Sequence, residues 1–286
     1  MILSKTILAV TAVLALAEIS HASTATKSLA NAKKTVEDIK KGTIPAFARK
    51  PEVISKPSTI KVSKSTTVGF GVLLASTAGL MNGACLSGLI SGTGQATTAV
   101  TGALTNAGAG FSSGNNAMSI ASIKCLLSYI VGSAIAGAFV PRPVAFELRN
   151  PGSAALSFVC AAISLLIAAM KAKAGDGTFI FFSLAASGIQ NSMTSTFSAN
   201  LCRTSHFSGT TSDIGTLLGQ LLRGNVESLP KLKVLSLLFL SFWAGAFVSV
   251  PLGKAYAHNT FLIAAGIYLA VASAIAMSSQ TRVKTE

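Results

Sequence analysis

Charged residues are scarce in this 286-residue chain. They make up 11% of it, against the roughly 25% usual in a soluble domain, which excludes an ordinary water-soluble globule. Acids are scarcer still: nine Asp and Glu face 23 Lys and Arg. No paired carboxylates fall within the apolar stretches, which removes the usual acid–base arrangement for catalysis. The four cysteines, Cys85, Cys125, Cys160 and Cys202, form no CxxC pair and lie in or beside apolar runs. Free, buried thiols are therefore expected, with no disulfide framework, metal site or cofactor. HExxH, GxSxG and P-loop signatures are missing, so no enzymatic activity is expected. The GTGQ run at 92–95 is a loose glycine turn, too weak to indicate a nucleotide site. Aromatic residues do not interleave with the lysines, so nucleic acid is not an expected partner. Alternating ten-residue segments are absent as well, which argues against a β-barrel.

What is present is apolar sequence. Hydrophobic residues are 50% of the chain, and six runs approach the ~20 residues that cross a ~30 Å bilayer core. They lie at about 67–90, 118–140, 154–172, 178–199, 232–252 and 259–279. Unpaired backbone groups are not tolerated in lipid, so these runs are expected to be helices and the bilayer an obligatory partner.

The apolar part is also written twice. TTAVTGALTNAG at 97–108 matches TSHFSGTTSDIG at 204–215 in three identical positions, three Thr/Ser pairs and the Asn106/Asp213 pair. Upstream, AGLMN ending at Asn82 echoes SGIQN ending at Asn191, and downstream AGAFV occurs at 136–140 and again at 244–248. A unit of roughly 108 residues is duplicated. With three spans per unit, an odd number, the copies must run in opposite senses across the membrane. The expected fold is all-α and polytopic. It has about six transmembrane helices in two inverted repeats, 67–172 and 178–279, each with a short polar half-helix near 97–112 and 204–222. Small residues such as Gly132, Ala136, Gly137 and Ala138 would let helices approach closely. Proline marks the connection after the second span at Pro141, Pro143 and Pro151, and Pro230 and Pro251 bracket the fifth.

The N-terminus resembles a targeting leader. Residues 1–22 carry a basic Lys5, an apolar core from Ile7 to Leu16 and small residues around Ser20-His21-Ala22. The following tail, 23–66, is rich in Ser, Thr, Ala and Lys, like a transit peptide, and its expected state is disordered or removed. A short tail, 280–286, closes the chain. If the six runs span, one face collects 18 of the Lys and Arg and the other only Lys124, Lys171, Lys173 and Lys254. The positive-inside rule places both ends on the cytoplasm-like side, which conflicts with simple secretory cleavage. A bipartite leader directing the chain to a plastid of secondary origin reconciles the two; an endomembrane or plasma-membrane location is the alternative.

Candidate binding residues follow from the duplicated segments. On a helix, Thr97, Thr101 and Thr105 share a face, as do Thr204, Ser208 and Ser212, with Thr98, Gly102 and Asn106 beside them, matched by Ser205, Gly209 and Asp213. Such hydroxyl faces can hydrogen-bond a ligand, and a half-helix N-terminus suits an anion. They can equally bond back to their own helix and only pack. Arg203, His206 and Asp213 cluster within eleven residues; ionisable groups at membrane depth are functional candidates, and a His–Asp pair could relay protons. The alternatives are an interfacial anchor for Arg203 and a helix cap for the pair. Asn82, Gln190 and Asn191 sit near the ends of matched spans, where amides serve as interhelical bonds or, less commonly, contact ligand. Trp243 reads as a packing or interface residue, and Glu147, Arg149, Arg223 and Glu227 as solvated loop charges.

The run Ser187-Gly188-Ile189-Gln190-Asn191, followed by Arg203-Thr204-Ser205-His206-Phe207-Ser208-Gly209 and Asp213-Ile214-Gly215, resembles the YoaK-like family of multipass membrane proteins of unknown function. The likeness covers about 67–279. The first half departs from the family pattern, with Asn82, Ala99 and Ala103 where an acid, a histidine and an amide are usual. The resemblance implies a six- or seven-helix membrane protein and supplies no activity. If the family couples transport to protons, only the second copy keeps the ionisable groups.

Two functions are consistent with these features. One is a secondary transporter for a small solute, bound midway across the bilayer by Asn82, Thr97, Thr101, Asn106, Gln190, Asn191, Arg203, Thr204, His206, Ser208 and Asp213. The other is a non-transporting membrane scaffold or assembly factor in which the same residues only pack helices. The expected partners are the lipid bilayer and a small-molecule solute, with homo-oligomeric assembly left open.

Overall fold

The computed structural model describes residues 59–90, 95–98, 100–256 and 258–283. The leader 1–22, most of the basic tail and the last residues of the C-terminal tail lie outside the described residues, as do most of the GTGQ turn and Ala99. Eight α-helices are present among the described residues: α1 (Lys64–Leu86), α2 (Thr101–Ser112), α3 (Asn116–Phe139), α4 (Pro151–Lys173), α5 (Phe179–Phe197), α6 (Phe207–Leu222), α7 (Leu229–Tyr256) and α8 (Asn259–Val283). Two short strands, β1 (Ile60–Lys61) and β2 (Glu147–Leu148), pair antiparallel with Ile60 opposite Leu148 and Lys61 opposite Glu147.

Local sequence sets the helix starts. The Ser63 hydroxyl accepts from the Thr66 amide at 3.0 Å to cap α1, so this helix begins inside the stretch read as a disordered tail. Asn115 caps α3 through the Met118 amide, and Asn150 caps α4 through the Ser153 amide, with Pro151 in the first turn, where a missing N–H costs nothing. Lys171 and Lys173 in the last turn of α4 oppose the negative end of its dipole. The link into α5 is tied by Asp176, which accepts from Lys171 Nζ at 2.8 Å and from the Thr178 amide at 2.9 Å. Those contacts hold its carboxyl at about 2, below the ordinary 3.8.

Five helices among the described residues are long and apolar enough to cross a membrane: α1, α3, α4, the segment Val226–Lys254 that includes most of α7, and α8. The run expected at 178–199 does form a helix, α5. Its second half, Gln190-Asn191-Ser192-Met193-Thr194-Ser195, is too polar to meet the same measure. That polarity is tolerated because α5 is packed between α3 and α4 and not left facing lipid. Pro230 lies in the first turn of α7, whereas Pro251 falls inside that helix and does not end it. The outer faces are apolar: Leu240, Trp243 and Phe247 of α7 are exposed, with Trp243 and Phe247 stacked at 5.5 Å. Water would penalise such a surface and a bilayer would not. The protein is an integral, multipass membrane protein.

The two halves of the chain interlock. The main partner of α1 is α7, that of α3 is α5, and α4 packs along α8. Both of the first two crossings are built on glycine. A Cβ on Gly79 would overlap the Phe242 carbonyl oxygen, and one on Gly245 would overlap that of Ser76. In the second crossing, a Cβ on Gly188 would overlap the Tyr129 carbonyl oxygen, and one on Gly132 that of Ala185. The crossings are equivalent, with Gly79 in the role of Gly188 and Gly245 in the role of Gly132. This corrects the pairing of the two AGAFV motifs, which had set Gly245 against Gly137; nothing lies within 4 Å of a Cβ placed on Gly137. Short Ala/Gly strings recur easily in spans, whereas backbone contact requires one register.

A side-chain swap at these positions separates the two alignments. Gly132→Leu is expected to lower thermal stability in detergent by about 1–3 kcal/mol, the usual cost of overpacking. Gly137→Leu should leave the melting midpoint near wild type. Equal melting of both variants would discard the structural register.

Candidate functional site

The polar residues singled out by the duplication fall into three settings. The first is buried and joined by one amide oxygen, with Thr98 Oγ1 left shielded and unpartnered among the described residues. Asn82, near the end of α1, accepts at Oδ1 from the Thr97 amide (2.8 Å), the Thr98 amide (3.0 Å) and the Thr97 hydroxyl (3.1 Å). Thr97 and Thr98 are therefore not helical, as the shared-face reading required. They form a bend ahead of α2, held against α1 by one amide oxygen.

The matched residues of the second copy behave differently. Asn191 Oδ1 is shielded from solvent and accepts no hydrogen bond among the described residues. Thr204 and Ser205 also precede their helix, which begins at Phe207. Their hydroxyls bond elsewhere: Thr204 with Thr194 at 3.1 Å, and Ser205 with the Tyr129 hydroxyl of α3 at 3.0 Å. Ser187, one turn before Asn191, has a second buried and unpartnered oxygen.

Gln190, like Thr97 and Thr204, is fully buried. Its Nε2 donates to the Leu74 carbonyl at 2.7 Å, and its Oε1 accepts from the Tyr268 hydroxyl. One side chain of α5 thus joins α1 and α8. Tyr268 is fully buried and meets Phe158 of α4 edge to face at 6.1 Å. With both ends of the amide occupied, Gln190 acts as an interhelical bond, the packing role weighed for it from sequence.

The third setting is outward. Thr101, Thr105 and Asn106 are exposed on α2, and Ser208 and Asp213 are exposed on α6. The buried face of α2 is Ala103, Ala107 and Gly110, which rests on α3 where the Ser119 hydroxyl donates to the Ala107 carbonyl at 3.0 Å. Small residues win the packing face because they allow close approach, which turns the hydroxyls outward. Thr105 bonds back to the Thr101 carbonyl at 3.1 Å. Because α2 packs on α3 and α6 on α7, the short helices do not build a shared cleft lined by these stripes. Asp213 faces Lys231 at 3.8 Å, not His206. His206 is exposed at the start of α6, its ring against Gly209, and Arg203 is half-buried.

Sequence reasoning missed a cavity of about 280 Å³ at the end of the bundle where α1 begins. Its walls include Phe70 and Leu74 of α1, Phe158 of α4, Met193 and Phe197 of α5, and Val271 and Ile275 of α8. The β1–β2 pair covers it, with Lys61 and Glu147 among its lining residues. Phe146 sits at φ 61, a left-handed conformation uncommon outside glycine, and is pinned by its amide to the Phe197 carbonyl and by its carbonyl to the Val62 amide, both at 2.8 Å. The walls come from four helices far apart in sequence, so no motif marks them. Thr194 links this cavity to Thr204.

Replacing Gln190 with Leu strands the Tyr268 hydroxyl and is expected to cost about 1–3 kcal/mol. Adding Tyr268→Phe should restore part of that loss. A double variant no more stable than Gln190→Leu alone, in thermal melts, would contradict the bonding described.

No curated protein and no solved structure matches the chain. A family model does, over residues 70–274, which takes in the polar candidates from Asn82 to Asp213. The chain belongs to the family described as protein of unknown function DUF1275.

Proposed function

We propose that this protein is a secondary transporter or permease for a small solute, built from two inverted repeats of three spans, α1–α3–α4 and α5–α7–α8. The exchanged glycine crossings support the duplication, and α2 and α6 are then the half-helices that interrupt each copy. The observation that carries the transport reading is the unequal engagement of equivalent asparagines. Asn82 grips the bend before α2 directly, through three donors to Oδ1, while Asn191 Oδ1 accepts none among the described residues and its side chain reaches the bend before α6 only through the Tyr129 hydroxyl, which bonds Ser205. Two copies of one module in two different states are what alternating access requires. Exchange of those states would open the opposite face, with the solute and not a chemical step as the driving partner.

In this reading the basic face, which carries the tail 23–66, lies on the cytoplasm-like side. That side is the stroma if the bipartite leader operates. The motif likeness to the YoaK-like proteins agrees with a polytopic carrier and names no solute. A scaffold role draws support from one feature: the exposed Thr101, Asn106, Ser208 and Asp213 form polar stripes turned away from the bundle.

Uptake from a metabolite mixture into reconstituted vesicles, read by mass spectrometry, tests the proposal. At least one solute is expected to accumulate, and Asn82→Ala and Asn191→Ala should each slow it about tenfold, about 1.4 kcal/mol on the transition barrier. Vesicles that accumulate nothing beyond empty controls would favour the scaffold. The inverted arrangement has its own check in cysteines introduced singly at Ser113 and Arg223, in a background without native cysteines. Impermeant reagents should reach them from opposite faces, and labelling from the same face would end the inverted reading.

A further inference from the structure

We propose that the cavity beneath the β1–β2 pair is a binding site for a small amphipathic anion, with a flat apolar body inside and a carboxylate or similar head at the strands. The body follows from the walls. Phe70, Leu74, Phe158, Met193 and Ile275 offer apolar surface from four helices, and the space is about 280 Å³. A cavity of roughly 150 Å³ lined by such residues holds benzene, so this one suits a body of about two rings. A phospholipid with two long chains exceeds it.

The head follows from charge. Among the described residues, Lys61 lines the cavity on β1, and Lys64 stands at the adjoining start of α1 with Nζ 5.8 Å from the Phe146 ring. The one carboxylate there, Glu147, lies opposite Lys61 in the strand register and is already paired with Arg149 at 3.4 Å. Of the described charged residues only Lys61 and Glu147 line the cavity. Arg149 occupies Glu147, which leaves Lys61 as the lining charge without an ion pair among the described residues, and that favours an anion over a cation of the same shape. The inner wall adds a hydroxyl, Thr194, which is committed to Thr204. The other lining hydroxyls, Ser63, Thr66, Thr67 and Ser278, stand at the start of α1 and near the end of α8. A pocket with apolar walls and a few charged groups at one end fixes the orientation of its ligand. The site stands independently of transport, since either a permease or a scaffold could use it.

The test uses the full chain in lipid nanodiscs, with empty nanodiscs subtracted. Radiolabelled naphthoate is the probe, naphthylmethylamine the cation of the same body, and acetate the head alone. Naphthoate is expected to be retained saturably and more tightly than either comparison compound. Ile275→Trp, which fills the space, should weaken it at least about tenfold, and Lys61→Gln about fivefold. Lys61 is exposed, so its variant is expected to fold, and helical circular dichroism verifies this for both. Should Ile275→Trp fail to fold, the Lys61→Gln result decides. Retention that does not saturate, equal retention of amine and carboxylate, or wild-type affinity in Lys61→Gln would overturn the site.

Discussion

Two glycine-lined crossings hold this protein together. In lipid, apolar side chains gain nothing by leaving the solvent for one another, so helices associate through close contact and the few polar bonds they share. At α1–α7 and α3–α5 the backbones approach until no Cβ fits between them, and in each case one glycine comes from either copy. Every other placement depends on these contacts. They set α5 between α3 and α4, which shelters its polar half, and they bring α1 beside α8, across which Gln190 can reach.

Within that frame, polar groups divide by whether they are satisfied. Gln190 is bonded at both ends and Asn82 Oδ1 accepts three donors, and a buried, bonded amide rigidifies what it joins. The side-chain oxygens of Asn191 and Ser187 have no such partner among the described residues, although they occupy a comparable depth on a matched helix. An unpaired acceptor in a low-dielectric setting costs free energy. Such a cost is tolerated where a second arrangement, or a ligand, can supply the missing donor. The contrast between Asn82 and Asn191 lies at the bends before the short helices, not on the helices themselves.

The motifs around Asn82 and Asn191 match the glycine crossings, whereas the AGAFV pair does not, and the helical face read from the Thr spacing does not form at Thr97 and Thr204. Thr97 and Thr204 seemed to begin polar helices because their spacing fits a helical face. The structure starts those helices later, since Asn82 captures the two amides ahead of α2 and His206 marks the boundary ahead of α6. His206 and Asp213 share a segment, yet Lys231, eighteen positions along, is the partner Asp213 meets. The apolar cavity has no sequence signal, because its walls are a few residues on each of four helices and its cover joins a strand from the basic tail to one from the loop before α4.

By itself, the sequence determined the solvent and the helical class, and it suggested the duplication on which the proposed function rests. Long apolar runs with few charges admit only helices in lipid, and repeated motifs survive as text. The register between the copies, the facing of the hydroxyl stripes, the unequal state of Asn82 and Asn191, and the cavity were decided by tertiary structure alone. Each of these depends on which backbone can come closest to which. That is a property of pairs of helices, and a one-dimensional pattern holds only one helix at a time.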